Sequence, residues 1–234
     1  MSKFPLKEFY SRIHNRYDLV NSIFTFGLDA KWRRIAAKSI NKSKPQNILD
    51  LCCGTGKFAF TIDKYATQHP RITGYDFSEA MLGHAKKTAE KQKFENINFV
   101  QGDVAEMPFE DNSFDAIGIA FGFRNLTFNS RHENIHIAEI QRVLKEDGSL
   151  YILESGSPQN LFIQFFYTIF LFIFLIPVGG LLTGDFKAYY YLAISSRSYY
   201  SRQQMVILLK SFGFKNVKVR KFLFGATNLT IAEK

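Results

Sequence analysis

From Asn47 onward the chain alternates short apolar runs with longer spans of helical periodicity, the signature of strands and helices taken in turn around a parallel sheet. Apolar runs at Asn47–Cys52, Arg71–Tyr75, Ile97–Gln101, Phe114–Ala120 and Ser149–Leu153 read as the five strands of such a sheet. Helices fit between them at Lys57–Ala66, Glu79–Gln92 and Asn129–Leu144. The last of these ends in Lys145-Glu146-Asp147-Gly148, where the glycine is expected in the left-handed closing position. Further on, Ser201–Phe212 reads as a helix, and Asn216–Phe222 and Thr227–Glu233 as two strands joined by a short turn at Phe224-Gly225-Ala226. That hairpin adds an antiparallel strand to an otherwise parallel sheet. Ahead of the sheet, Phe4 to Ile40 is rich in aromatic and basic residues without alternation, so it reads as two or three helices forming a cap.

One segment departs from this rhythm. Leu161 to Leu182 is a run of Leu, Phe, Ile and Tyr interrupted only by Gln164, Thr168 and Pro177-Val178-Gly179-Gly180. By length it suffices to cross a bilayer. A single crossing, however, would strand the terminal helix and hairpin on the far side from the sheet they complete. The expectation is a helix ending near Pro177 that covers the mouth of the site, with a buried core helix as the plainer alternative. The chain is thus expected to form one domain, with a cap over residues 1–45, a core over 46–155, an apolar helical insertion over 156–200, and a closing helix and hairpin over 201–234.

Composition narrows the partners. A length of 234 residues suits a single α/β domain, and a formal charge of +9 favours anionic partners, whether acidic lipid, nucleic acid or an anionic substrate. The basic residues are dispersed and the aromatic-rich segment is also aliphatic, unlike a base-stacking groove, so no nucleic-acid partner is expected. Cys52 and Cys53 are adjacent, which suits neither a disulfide framework nor a zinc site; no metal is expected, and a cytoplasmic setting is. Nearby residues supply no histidine to activate either thiol, so both read as small packing residues. Residues 1–16 are polar and charged, without the apolar stretch of a secretory signal. His132 and His136 lie one helical turn apart but have no third ligand at suggestive spacing, and read as solvated.

The most informative stretch is Ile48-Leu49-Asp50-Leu51-Cys52-Cys53-Gly54-Thr55-Gly56-Lys57, a buried strand running into a glycine turn and then a helix. Gly54 and Gly56 let the backbone bend sharply and a ligand lie against it. The spacing Gly54-x-Gly56-x-x-Ala59, followed by Asp76 at the tip of the next strand, also satisfies a loose dinucleotide fingerprint, so a nucleotide cofactor is indicated before its identity is. Asp50 before the turn, Asp76 after the second strand and Asp103 after the third put one carboxylate at each strand end. That arrangement suits S-adenosylmethionine, whose ammonium, ribose and adenine amine all donate hydrogen bonds. A pyrophosphate would be repelled by Asp50, and no Tyr-x-x-x-Lys pair of a short-chain dehydrogenase occurs. Taken singly, each aspartate reads equally well as a turn residue or helix cap.

These segments resemble the successive cofactor motifs of the class I methyltransferases: Leu49 to Gly56, Asp76-Phe77-Ser78-Glu79-Ala80-Met81-Leu82 and Gly102-Asp103-Val104-Ala105-Glu106-Met107-Pro108-Phe109. Phe121-Gly122-Phe123-Arg124-Asn125-Leu126-Thr127 resembles the Phe-Gly-x-Arg-Asn signature of the menaquinone and ubiquinone C-methyltransferases. Tyr17-Asp18-x-x-Asn21 with Gly27 and Trp32 is similar to their N-terminal motif, and Tyr191-Leu192-Ala193 with Arg197 continues the likeness toward the C-terminus. Two departures stand out: Cys52 occupies the place of a first glycine, and Ile194-Ser195-Ser196 replaces the more usual Glu-Ser-Ile. The resemblance implies a seven-stranded Rossmann-like sheet and methyl transfer to a ring carbon of a polyprenylated hydroquinone, with S-adenosylhomocysteine as co-product. It also implies cofactor contacts at Thr55, Asp76, Asp103, Val104 and Ala120, to which the glycine turn adds Asp50, Gly54 and Gly56.

A phenolic ring carbon becomes nucleophilic when a neighbouring hydroxyl loses its proton, and a nearby cation stabilises the resulting oxyanion. Arg124 is the candidate for that role, Asn125 for a second hydrogen bond, and Tyr17 for closing the site from the cap. The plainer reading of Arg124 is an arginine salt-bridged to Asp115 or Glu154. The apolar insertion would then hold the polyprenyl tail, rest on the inner face of the membrane or pack in a homodimer. A methyltransferase of another lipid or small phenolic, a basic nucleic-acid-binding protein and a dehydrogenase are the alternatives.

Overall fold

The computed structural model describes residues 20–234. Residues 20–24 are helical, and Gly27, in the left-handed region at φ 71°, starts helix α1 (Leu28–Ile40). Seven strands follow: β1 (Asn47–Leu51), β2 (Arg71–Asp76), β3 (Ile97–Gln101), β4 (Phe114–Ala120), β5 (Leu144–Ser155), β6 (Lys215–Phe222) and β7 (Thr227–Glu233). They form one sheet in the order β3-β2-β1-β4-β5-β7-β6, parallel except for β7, which runs antiparallel to both its neighbours. The Rossmann-like sheet with a closing antiparallel hairpin is therefore as the sequence pattern indicates. Strands β1, β2 and β4 are buried along most of their length because helices cover both faces of the sheet.

Helices α2 (Lys57–Lys64) and α3 (Glu79–Gln92) pack with α1 on one face, around Trp32, Ile40, Phe58, Ile62, Leu82 and Phe99. The other face is covered by the short α4 (Phe123–Thr127), α5 (Glu133–Val143) and α9 (Arg202–Ser211), around Phe123, Ile137, Ile140, Met205 and Leu209. Ser78 caps α3 by accepting from the Met81 amide, and Ser201 with Gln204 forms a complete capping box on α9.

Two local expectations are corrected. Gly148 does not adopt a left-handed conformation. Helix α5 passes directly into β5 through Leu144, and the pairing with β4 jumps from Phe114↔Leu144 to Ala116↔Ser149, so residues 145–148 bulge outward. Glycine is required there for space, because a Cβ would lie 2.6 Å from the Leu144 side chain and 2.8 Å from the Lys145 carbonyl oxygen.

The second correction concerns the apolar segment, which does not end at Pro177. Helix α6 (Leu161–Ile169), a π-helical stretch (Phe170–Leu175) and α7 (Ile176–Thr183) form one 23-residue helix. Proline lacks an N–H and crowds the preceding turn, and the widened stretch just before it absorbs that defect. The chain then returns through α8 (Phe186–Arg197). Leu171 and Leu175 pack against Val20, Phe24, Tyr189 and Ala193, but only 11% of the most apolar window is buried, so this is not a core helix.

Candidate active site

Strand order reverses between β1 and β4, and in open α/β sheets ligands bind in the crevice at the carboxyl ends beside such a reversal. The turns after β1, β2 and β3 form one side of this crevice. Asp50 lies in β1, fully buried, and its Oδ2 accepts from the Ala59 amide at 2.8 Å, tying the strand to α2. Its Oδ1 is buried without a hydrogen-bond partner. Burial raises the Asp50 carboxyl to about 8, against the lesser downward pull of the Ala59 amide and Arg33.

Beyond Asp50 the chain turns through Gly54 and Gly56, both at positive φ. A Cβ on Gly54 would meet nothing within 4 Å, so its outer side is open to a ligand. The Gly54 amide donates to Asp76 Oδ2 at 2.9 Å and the Ser78 amide to Oδ1 at 2.9 Å, so one carboxylate joins the first and second turns. Burial raises the Asp76 carboxyl, and these amides offset part of the effect. Thr55 is buried within the same turn. In the third turn, Asp103 Oδ1 accepts from the Ala105 amide and its carbonyl accepts from the Tyr75 hydroxyl at 3.1 Å, with Val104 buried beside it.

Behind the third turn stands a clamp that periodicity alone does not reveal. Arg142 on α5 donates to the carbonyls of Met107 and Phe109 and to Asp111 Oδ1, and it also pairs with Glu139, whose Oε2 accepts from the Met107 amide. On a helix, residues three apart share a face.

The opposite side of the crevice begins where β4 ends at Ala120. Phe121 takes φ 61°, and its amide donates to the Leu153 carbonyl at 2.7 Å. Gly122 follows because a Cβ there would lie 2.5 Å from the Cβ of Cys52, itself held at φ 57°. Non-glycine residues in the left-handed region are strained, and Cys52 and Phe121 hold that conformation just beyond the ends of β1 and β4, the neighbours at which the strand order reverses. Arg124 on α4 is buried, with Nε 3.7 Å from Glu154 Oε1, while its backbone amide donates to Glu154 Oε2 at 3.0 Å. Its Nη1 donates to the Ser195 hydroxyl and, at 3.4 Å, to the Leu192 carbonyl on α8. The salt-bridged reading is thus realised, with Glu154 rather than Asp115, which instead accepts from the Gln46 and Asn47 amides and pairs with Lys145. Asn125 follows Arg124, half-buried, its amide bonded to the Gly122 carbonyl. Tyr167 and Tyr191 both feel the Arg124 charge, and burial pushes the Tyr167 phenol up to about 12.

The fold therefore brings Asp50, Gly54, Thr55, Gly56 and Asp76 into one bonded unit, sets Asp103 and Val104 on the next turn, and carries Ala120, Arg124 and Asn125 on the facing strand end. Tyr17 lies outside the described residues. His136 bonds through Nδ1 to the Leu126 carbonyl. Sequence reasoning missed Ser195 as the partner of Arg124, and it missed Arg33, buried on α1 against Asp29 and 5.1 Å from the Phe121 ring. An Asp and an Arg four apart on the edge of the Trp32–Ala36–Ile40 stripe were the available signal.

The family model described as the ubiE/COQ5 methyltransferase family matches residues 2–234. The chain belongs to that family. It is a methyltransferase, and S-adenosylmethionine is its cofactor. A demethylmenaquinone methyltransferase of Thermotoga maritima is 38% identical over 225 residues, covering 96% of this chain and 93% of the relative. A ubiquinone/menaquinone biosynthesis C-methyltransferase of Geotalea daltonii is 35% identical over 230 residues, covering 98% and 96%. The fold is that of an S-adenosylmethionine-dependent methyltransferase from Aquifex aeolicus, with a TM-score of 0.56 at 18% identity over 80% of each chain. The cofactor suits the site's chemistry: the buried Asp50 Oδ1 is left without a protein hydrogen-bond donor, and Gly54 leaves its side of the turn open.

Proposed function

We propose that the methyltransferase alkylates a ring carbon of a polyprenylated hydroquinone, converting demethylmenaquinol to menaquinol or acting at the equivalent benzoquinol step of ubiquinone synthesis. The carrying observation is Arg124, a buried cation fixed by Glu154, Ser195 and Leu192 at the strand end facing the glycine turn.

Asp50, Gly54, Thr55, Gly56, Asp76, Asp103, Val104 and Ala120 would hold the cofactor, which when bound would supply an electrophilic methyl, with S-adenosylhomocysteine as the co-product. The chain's own residues do the rest. Arg124 remains protonated at any working pH and so serves as the electrostatic partner of the ring oxyanion rather than as a base. Its rigidity matters because Glu154 and Ser195 hold the guanidinium before the acceptor arrives, so no reorganisation is needed as charge develops. Asn125 donates to the same oxygen. Tyr167, at about 12, stays protonated at neutral pH and acts as a donor. Positioning the acceptor carbon in line with the methyl lowers the barrier by up to roughly 7–11 kcal/mol in well-oriented systems.

The relatives' names support a quinol acceptor, and an acceptor with a lipid tail favours action at the inner face of the membrane. The test is product analysis with labelled S-adenosylmethionine on short-prenyl demethylated naphthoquinol and benzoquinol. Label on a ring carbon of one or both is expected. Label on oxygen, or on neither ring while a simple phenol is methylated, would replace the reading with a methyltransferase of another phenolic.

A further inference from the structure

We propose that this protein docks on anionic membrane through one built surface: the outward face of α6 and the β6–β7 turn enter the lipid, while a cationic cavity between them takes a headgroup phosphate. The proposal rests on the lipid-acceptor reading above and adds the surface and the chemistry that recognise the bilayer.

The apolar part is continuous and exposed. Leu161, Phe162, Phe165, Phe166 and Ile169 follow helical spacing along one face of α6, the first three 81%, 71% and 61% exposed. Phe224, at the tip of the β6–β7 turn, is 75% exposed and lines the same cavity as Asn160 and Ile163 from the start of the helix. Exposed apolar patches of this kind mark protein or membrane contacts.

The charged part selects the membrane. The cavity, about 180 Å³, has the volume of several waters, each taking about 30 Å³ of liquid. Arg202 and Lys221 line it, no carboxylate does, and neither cation forms an ion pair among the described residues. Lys215, Lys218 and Arg220, exposed along the edge strand β6, extend the positive field. A protein partner would supply carboxylates one by one at fixed positions. A bilayer offers apolar depth and a plane of phosphates together, matching a phenylalanine stripe flanked by unpaired cations.

Spanning is excluded by the return path. Helix α8 has 12 residues, about 18 Å at 1.5 Å per residue, and it must bring Ser195 back to Arg124; a hydrocarbon core is about 30 Å thick. The long helix therefore lies along the surface.

The test uses the full chain in vesicle flotation, with phosphatidylcholine alone or mixed with phosphatidylglycerol. The expected result is binding to the anionic mixture, resistant to excess inorganic phosphate in the soluble phase and weak on neutral vesicles. Two cations near an anionic surface are each worth roughly 1 kcal/mol, so Arg202→Gln/Lys221→Gln should weaken binding roughly 25- to 30-fold. Removing two exposed phenylalanines that enter the lipid, Phe162→Ser/Phe165→Ser, should weaken it at least about a hundredfold. Both variants should methylate a short-prenyl soluble acceptor as the parent does and fail on acceptor embedded in vesicles. Equal binding to neutral lipid, unchanged binding by the charge variant, or complete competition by free phosphate would overturn the docking surface. So would a parent dimer by light scattering that the phenylalanine variant abolishes without any vesicle binding. A parent inactive on the soluble acceptor would instead remove the quinol reading, whatever the vesicles show.

Discussion

Asp50→Asn separates the cost of the buried carboxyl from its use. In the folded protein burial raises this group from 3.8 to about 8, while in the unfolded chain it titrates near its ordinary value. The folded state thus binds a proton that the unfolded state has lost, and stability falls as pH rises between about 4 and 8, by roughly 1.4 kcal/mol per pH unit from this group. Asparagine cannot ionise, so its protein lacks that slope. Urea unfolding of both proteins at pH 5 and pH 8 should show the stability difference moving in the variant's favour by on the order of 4 kcal/mol across that interval. Shared titrations cancel in this comparison.

The same carboxyl reports on the cofactor. At pH 7 about nine in ten Asp50 side chains hold a proton, given a pKa of about 8. A cation settling beside Oδ1 favours the ionised form and expels that proton. Calorimetry of S-adenosylmethionine binding in buffers of different ionisation enthalpy should therefore show close to one proton released by the parent and none by Asp50→Asn. Parallel pH–stability profiles would refute the raised carboxyl, and equal proton release in both proteins would refute a pairing of Asp50 with the cofactor's ammonium.

Three further outcomes follow from contacts already described. Arg124→Ala should lower turnover by roughly 10²–10³, the usual loss for a donor to a developing oxyanion, while leaving the calorimetric Kd for S-adenosylmethionine within a few-fold; equal losses in both would return Arg124 to the fold. Gly122→Ala drives a methyl into the Cys52 Cβ and should cost about 1–3 kcal/mol in unfolding free energy, much of it recovered by adding Cys52→Gly; additive effects in that double-mutant cycle would show that the contact is not the cause. Arg142→Leu frees the carbonyls of Met107 and Phe109 and should raise the Kd for S-adenosylmethionine several-fold with kcat at saturation little changed. A fall in kcat alone would place the clamp elsewhere in the cycle.

Much of this molecule was legible because its local and global preferences agree. β3, β4 and β7 fall where the apolar runs put them, and α3 spans the predicted residues, since buried parallel strands and amphipathic helices write their burial directly into the chain. The glycine turn and its aspartates were legible for a related reason: backbone bending and carboxylate placement need particular residue types. What stayed hidden depended on long-range partners. Ser195 meets Arg124 from 71 positions away across the apolar helix, and no spacing announces it. Nor does hydropathy firmly say which side of a helix faces outward when its only polar residues are Gln164 and Thr168, so the exposure of Phe162 and Phe165 had to come from the structure. Gly148 misled because a glycine after a helix serves a left-handed turn and a crowded bulge equally well.

The widened turn at Phe170–Leu175 sets the phase of everything after it. Successive helical residues advance by about 100°, so one additional residue wound into the spiral swings the downstream segment by a comparable angle. In the resulting orientation Gly179 and Gly180 present bare backbone to the rings of Tyr189 and Phe186, where any Cβ would come within 2.3 Å. A rod with almost no polar residue to tell inside from outside is thereby given a handed choice, made by a proline's missing hydrogen and two absent methyl groups.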